Sequence, residues 1–266
     1  MAASTNLVRA WKDRACRAAL SVGATLVLAC GTASASALSN AVIDVDFTAG
    51  TSPLQAGAAV IGSSGDVWNN LNNPYLSGTP ISVSGVPLEY ANSSPSPVKL
   101  SYTAELATQT TGSAPYVSPF AGGPFVDLMG AYLIADPTEP YLDYGGGPGS
   151  VTFTGLTPGG SYNLYLYSGA DMNAQGRATT FTLGSTKLTA AFNDAVDTFA
   201  PDVNYVEFSN VVASGGSISF SYDGSPGAEA DLNGIQLTTA VPEPAAASTL
   251  LLVAGAMLGV RRPRNS

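Results

Sequence analysis

Asp44 and Asp46 stand two residues apart in AVIDVDF (41–47), and a strand's period of two would put both carboxylates on one face. Asp223, Glu229 and Asp231 crowd the turn ahead of LNGIQL (232–237), towards the other end of the chain. Carboxylates in such groups support two chemistries: an oxygen-only cation site, with calcium as the natural occupant, or the paired acids of a glycan hydrolase. Neither group has the regular spacing and glycine of a fixed calcium loop, and no pair stands in a recognisable catalytic context. Acids that merely solubilise a sheet edge are the competing reading. Trp68, in GDVWNNLNNPY (65–75), suggests a third chemistry. An indole face packs on sugar C–H groups, and Asn69, Asn70, Asn72 and Asn73 would hydrogen-bond hydroxyls, with Tyr75 alongside. The alternative is a tryptophan plugging the core beside an asparagine-rich turn.

Other chemistries are excluded by what the chain lacks. There is no histidine, and the only cysteines are Cys16 and Cys30. From residue 38 onwards no Ser-His-Asp or Cys-His nucleophile can be built, nor a zinc site made from His or Cys. GGGPG (145–149) precedes a strand and has no lysine after it, so it reads as a turn and not as a phosphate loop. Asn92-Ser93-Ser94 is a nominal glycosylation triplet that decides nothing.

Charge narrows the partners. Between residues 38 and 240 only Lys99, Arg177 and Lys187 are basic, against 17 acids, a formal −14. Such a surface repels nucleic acid and anionic lipid, both of which need Lys and Arg to neutralise phosphate. It suits an extracellular domain, and nucleic acid is excluded as a partner.

The two ends differ from this middle. Residues 1–37 run from Arg9, Lys12, Arg14 and Arg17 through an apolar stretch (18–30) to ASASA, with Ala35 and Ala37 forming an A-x-A cleavage site. That order predicts a secretory signal peptide. LVLACGT (26–32) resembles a lipoprotein box, which would instead acylate Cys30, although Leu28 is bulky for one. At the other end Ala245–Val260 is 16 residues without a charge. As a helix it would span about 24 Å, just short of a bilayer's hydrocarbon core of about 30 Å. The arginines beyond it, Arg261, Arg262 and Arg264, act as a cytoplasmic stop and leave everything upstream outside.

Val241, Pro242, Glu243 and Pro244, then the short apolar run, then the arginines, resemble the PEP-CTERM sorting signal of Gram-negative bacteria. Two prolines fix an extended segment that a protease cleft can grip. The resemblance, over 241–264, implies an exosortase-like membrane protease as partner, with cleavage near the Pro-Glu-Pro. The implied route passes through the inner membrane to the cell surface or an exopolysaccharide matrix.

The elements that would position the candidate sites read as strands. These are 41–47, 98–105, 150–156, 161–168, 178–184, 204–212, 217–224 and 232–239, rich in Val, Ile, Thr, Tyr and Phe and bounded by turn residues. Their spacing is too short for helical crossovers and favours an all-β, antiparallel β-sandwich over residues 38–240, followed by a sorting segment at 241–266. In SYNLYLYS, Tyr162, Leu164 and Leu166 take one face and Asn163, Tyr165 and Tyr167 the other. FVDLMGAYLIA (125–135) is the one expected short helix, and 106–124 an expected loop.

TGLTPGGSY (154–162) with its alternating Leu and Tyr, and LNGIQL near the end, resemble galactose-binding-like jelly rolls. That resemblance implies a scaffold or a sugar binder. It also implies a calcium site where first and last strands meet, which would bring Asp44 and Asp46 together with Asp223, Glu229 and Asp231. The expected function is an exported, non-enzymatic structural or glycan-binding module, with extracellular polysaccharide as partner. A carboxylate-based hydrolase and a Cys30 lipoprotein are the alternatives.

Overall fold

The structure is a computed structural model. It describes residues 42–52, 54–74, 79–109, 118–120, 123, 125–135, 147–169, 177–191, 196–224 and 229–240. Both expected terminal segments, with Ala35, Ala37, Val241, Pro242, Glu243, Pro244, Arg261, Arg262 and Arg264, lie outside them. Among the described residues no helix is long and apolar enough to cross a membrane.

Fourteen strands are described: β1 (Ile43–Ala49), β2 (Asn69–Asn73), β3 (Ile81–Glu89), β4 (Pro95–Ala104), β5 (Leu106–Gln109), β6 (Ala131–Ala135), β7 (Gly149–Thr154), β8 (Ser161–Tyr167), β9 (Thr179–Leu183), β10 (Thr186–Ala190), β11 (Tyr205–Val212), β12 (Ile218–Gly224), β13 (Ala230–Leu232) and β14 (Gly234–Thr239). They form a five-stranded sheet in the order β11-β8-β14-β1-β2, a six-stranded sheet in the order β10-β9-β12-β7-β4-β3, and a small sheet β13-β6-β5. The first two share one apolar core. Val45 and Phe47 of β1, Leu164 and Leu166 of β8 and Ile235 of β14 meet Leu100, Val151, Phe153, Phe181 and Phe220 from the other sheet. Phe47 sets its ring edge-on to Tyr102, with centroids 5.0 Å apart. The arrangement is a β-sandwich, and the period-two alternation that suggested it is what buries one face of each strand.

Four expectations need correction. FVDLMGAYLIA is not a helix: a single 3₁₀ turn at Leu128–Gly130 leads into β6. Its tail, Ala131–Ala135, is buried throughout and pairs with both β5 and β13, and that pairing overrides local helix propensity. The segment expected as a loop from 106 begins with strand β5. GGGPG does not end in a turn, because Gly149 opens β7 beneath the Tyr222 ring, where no side chain would fit. Finally, the sheets are not wholly antiparallel, because β2 runs parallel to β1, from Val45↔Asn69 to Ala49↔Asn73.

The five-stranded sheet has a second face. Asp44, Asp46, Thr48, Tyr165, Tyr167 and Gln236 point away from the shared core, and residues of 54–68, 118–120, 125–130 and 196–204 lie over parts of it. A smaller aromatic cluster of Trp68, Phe120, Leu128, Met129 and Tyr167 fills that layer.

Candidate functional site

The outer face of β1 is a buried polar row. Asp44 and Asp46 are both fully buried, as the alternation predicts for one shared face, but what covers them is the strap 54–68. Gln236, opposite Asp44 on β14, donates its amide to Asp44 Oδ1 at 2.8 Å. Its carbonyl oxygen accepts from the Tyr167 hydroxyl and from the Ile61 amide at 3.2 Å. Asp46 Oδ2 accepts the Gln55 amide at 3.1 Å, and Gln55 Oε1 accepts the Leu128 amide at 3.1 Å. Asp44 Oδ2 and Asp46 Oδ1 meet no hydrogen-bond donor among the described residues. Burial is the main cause that pushes Asp44 up to about 7, with Asp66 adding to it and Gln236 opposing. Burial likewise raises Asp46 well above the usual carboxylate range, with Asp127 adding.

Asp223, Glu229 and Asp231 sit elsewhere. Asp223 caps the Gly224 amide at the end of β12, at 2.9 Å. Glu229 forms an ion pair with Arg177. Asp231, on β13, donates its backbone amide to the Thr179 hydroxyl oxygen at 2.8 Å, and its carboxylate lies near enough to the fully buried Tyr222 to raise that phenol further. Among the described residues no three acids stand close enough to hold a metal ion. The expected meeting of the two groups is not what the structure shows, because β13 pairs with β6 in the small sheet and only β14 continues to β1.

The indole reading also needs correction. Trp68 is 3% exposed, and its ring N–H donates to the Gly57 carbonyl at 2.7 Å, so it pins the strap and offers no face to a sugar. Asn69 is spent on backbone: it donates to the Asp44 and Glu89 carbonyls and accepts the Glu89 amide, all within 2.9 Å. Asn70 accepts the Gln55 amide at 3.1 Å and donates to the Trp68 carbonyl at 3.0 Å. Asparagine amides here complete an edge strand whose own β-propensity is poor. Tyr75 lies outside the described residues.

Among the described residues two open surfaces bear on ligand binding. The first is a groove of about 440 Å³ between the edge strands β2 and β3. Asn70, Asn72, Pro80, Ile81, Val83 and Val86 are among its walls, and none of its lining residues carries a formal charge. Among the described residues its one ring, Tyr102, is 4% exposed and gives its hydroxyl to Asn73 at 2.9 Å.

The second is an aromatic shelf on the outer face of β8 and β11. Register places Tyr205 opposite Tyr167, and Glu207 opposite Tyr165. Tyr165 and Tyr205 are each half-buried, with ring centroids 6.4 Å apart and planes 39° off parallel. Phe199 stands edge-on behind Tyr205 at 6.4 Å and 5.0 Å from Tyr167, which ties the shelf into the buried aromatic layer. The exposed Glu207 carboxylate hydrogen-bonds the Tyr165 phenol and the Ser209 hydroxyl, the latter at 2.7 Å. Burial first and Glu207 second push Tyr165 up to about 12. Burial, Glu207 and then Asp202 raise Tyr205. A bulge at Ser209 and Asn210 ends the shelf, where Asn210 takes a left-handed φ of 57° and its amide donates to Asn163 Oδ1 at 2.9 Å.

Sequence reasoning missed this shelf. It placed Asn163, Tyr165 and Tyr167 together on one face of β8, which the structure bears out. It had no means of knowing that the start of β11 lies alongside.

No protein-family profile matches the chain, and no curated protein does. Among solved structures it is similar to the Bacillus subtilis protein YXIM, at 11% identity and a TM-score of 0.35 over 76% of this chain. The chain spans 41% of that protein's length. It is also similar to the C-terminal carbohydrate-binding module of LamC, a marine laminarinase from Zobellia galactanivorans, at 17% identity and a TM-score of 0.24. That match covers 41% of this chain and 78% of that module. A third is TmCBM61, solved with β-1,4-galactotriose, at 13% identity and a TM-score of 0.24, over 54% of this chain and 82% of that one. Two of these three neighbours are carbohydrate-binding modules; at such scores the likeness assigns neither a family nor a site to this chain.

Proposed function

We propose that this chain is an exported, non-enzymatic, jelly-roll-like module that binds extracellular polysaccharide on the Tyr165–Tyr205 shelf. The observation that carries the reading is the shelf itself: two half-buried rings side by side, with a carboxylate and an amide within reach. Ring faces take the apolar C–H side of a pyranose, and Glu207 and Asn163 supply hydrogen-bond partners for its hydroxyls. β8 is flanked by β11 and β14, and the edge strand β11 is paired to β8 along its length, so the backbone under both rings is fixed and little ordering opposes binding. The acidic surface suits an extracellular setting. The Pro-Glu-Pro segment and the arginines after the apolar run support delivery through the membrane to an exosortase-like protease, then release to the surface or matrix.

The test is co-sedimentation of the full chain with a panel of insoluble polysaccharides, together with an assay for new reducing ends. Retention that falls about tenfold in Tyr165→Ala and in Tyr205→Ala, without products, supports the reading; tenfold is the loss of about 1.4 kcal/mol of contact per ring. New reducing ends would make the chain a hydrolase. Retention indifferent to both substitutions would move binding off the shelf.

A further inference from the structure

The shelf and the groove differ in one respect that bears on the ligand. The β2–β3 groove has no charged lining residue. The shelf has two exposed carboxylates at its rings, Glu207 beside Tyr165 and Tyr205, and Asp202 beside Tyr205. Among the described residues no basic side chain forms an ion pair with either: Arg177 is engaged by Glu229, and Lys99 and Lys187, on β4 and β10 of the other sheet, pair with neither. The shelf is therefore a set of electron-rich ring faces with uncompensated negative charge at their rim. An anionic glycan would meet repulsion there, and a neutral one would leave the carboxylates hydrogen-bonded but not charge-matched.

We infer that the shelf selects glycans with free amino groups, that is, polymers of hexosamine units whose nitrogen is not acylated. Such a unit presents an ammonium that pairs with Glu207 while the sugar lies over Tyr165 and Tyr205. An ammonium against a tyrosine face adds cation–π attraction. A charge-assisted hydrogen bond to a carboxylate adds to it, and together they exceed what the neutral, acetylated nitrogen can offer. The ordering of strands explains why the carboxylate is in position: Glu207 is the register partner of Tyr165, so the pleat that presents the ring also presents the acid. Asp202 is held by a tight turn, where its φ is 62° and its amide donates to the Tyr205 carbonyl at 2.8 Å. The net charge of this stretch adds long-range attraction for a polycation, but that contribution is shared by every acid on the surface and falls with salt.

This inference rests on the glycan reading above, and the experiment separates the two. Binding of the full chain to glucosamine oligomers is measured by titration calorimetry alongside the same oligomers fully N-acetylated, at low and at 0.5 M added salt. The expected result is at least tenfold tighter binding of the free-amine oligomers, with part of the preference surviving in high salt. Glu207→Gln should collapse that preference, because the free-amine oligomers lose at least tenfold more affinity than the acetylated ones. Glu89→Gln removes one exposed charge from the opposite sheet and should change little. Equal affinity for both oligomers, or a preference that Glu89→Gln erodes as much as Glu207→Gln, overturns the amine selectivity and leaves the glycan shelf standing. Failure of both oligomers, and of every neutral polysaccharide in the panel, overturns both.

Discussion

The Gln236 amide donates 2.8 Å to the Asp44 carboxyl across directly paired strands, joining residues 192 positions apart beneath the strap. The same glutamine holds the Ile61 amide and carbonyl, at 3.2 and 3.1 Å, so one side chain links the first strand, the last strand and the segment that covers them. Asp44 is the sensitive member of this set because it is buried and its second oxygen meets no donor among the described residues.

The chain is therefore expected to be more stable in mild acid than at neutral pH. In the folded chain Asp44 holds its proton up to about pH 7, against an ordinary value of 3.8. Between those values the folded state binds more protons than the unfolded one, so stability falls as pH rises and levels off above 7. The full span corresponds to roughly 4 kcal/mol from the shift at 1.36 kcal/mol per unit, and Asp46 acts in the same direction. Denaturant unfolding at pH 5 and pH 7.5 measures it. Asp44→Asn keeps an acceptor for Gln236, stays neutral throughout and should flatten much of the slope; a wild-type curve that rises with pH would contradict the burial argument.

Trp68→Phe should cost about 2 kcal/mol and leave glycan affinity unchanged. The substitution leaves the Gly57 carbonyl without its 2.7 Å donor and opens a void beside Tyr167 and Leu128. Thermal unfolding reads the first effect and co-sedimentation the second. Lost binding with unaltered stability would restore Trp68 to the sugar site.

Gly155 and Gly159 give a matched pair for backbone and space. Their φ values are 79° and 73°, so alanine at either position pays a left-handed penalty of about 1–2 kcal/mol. At Gly159 an added Cβ meets nothing within 4 Å, whereas at Gly155 it would overlap the Pro97 carbonyl oxygen of the neighbouring β4. Gly155→Ala should exceed Gly159→Ala by more than about 2 kcal/mol, because the obstacle is main chain and cannot swing aside. Equal losses on denaturant titration would mean that β4 yields there.

Eight strands were legible because β-branched and aromatic residues alternate between turn residues. β2 was not legible: NNLNN has little strand propensity and is held in place by β1 on one side and by its own amides. β3, with Gly85 and Pro87 inside it, is interrupted by two irregularities in its pairing with β4, as an edge strand tolerates. The candidate site divides the same way. The face of Tyr165 followed from period two alone, but its partners Tyr205 and Glu207 depended on the β8–β11 register. For Trp68 the core reading is the one the structure bears out, although its cover, residues 54–67 folding back over it, is not announced by any local pattern.

Processing at both ends is tested by the intact mass of protein recovered from its native envelope and medium. A signal peptide ending at Ala37 predicts a chain that starts at Leu38. Cleavage near Pro242-Glu243-Pro244 predicts loss of the apolar run and of Arg261, Arg262 and Arg264. The two events together remove seven of the ten basic residues, so the mature product should also migrate as a far more acidic species than the precursor. That charge change is the second readout, independent of mass calibration. A product that still carries 245–266 would make the tail a plain anchor, and a diacylglyceryl adduct on Cys30 would replace the signal-peptidase route with a lipoprotein one. In either case the shelf would work tethered to a membrane, where its acidic surroundings hold it off anionic lipid and free to reach a polymer.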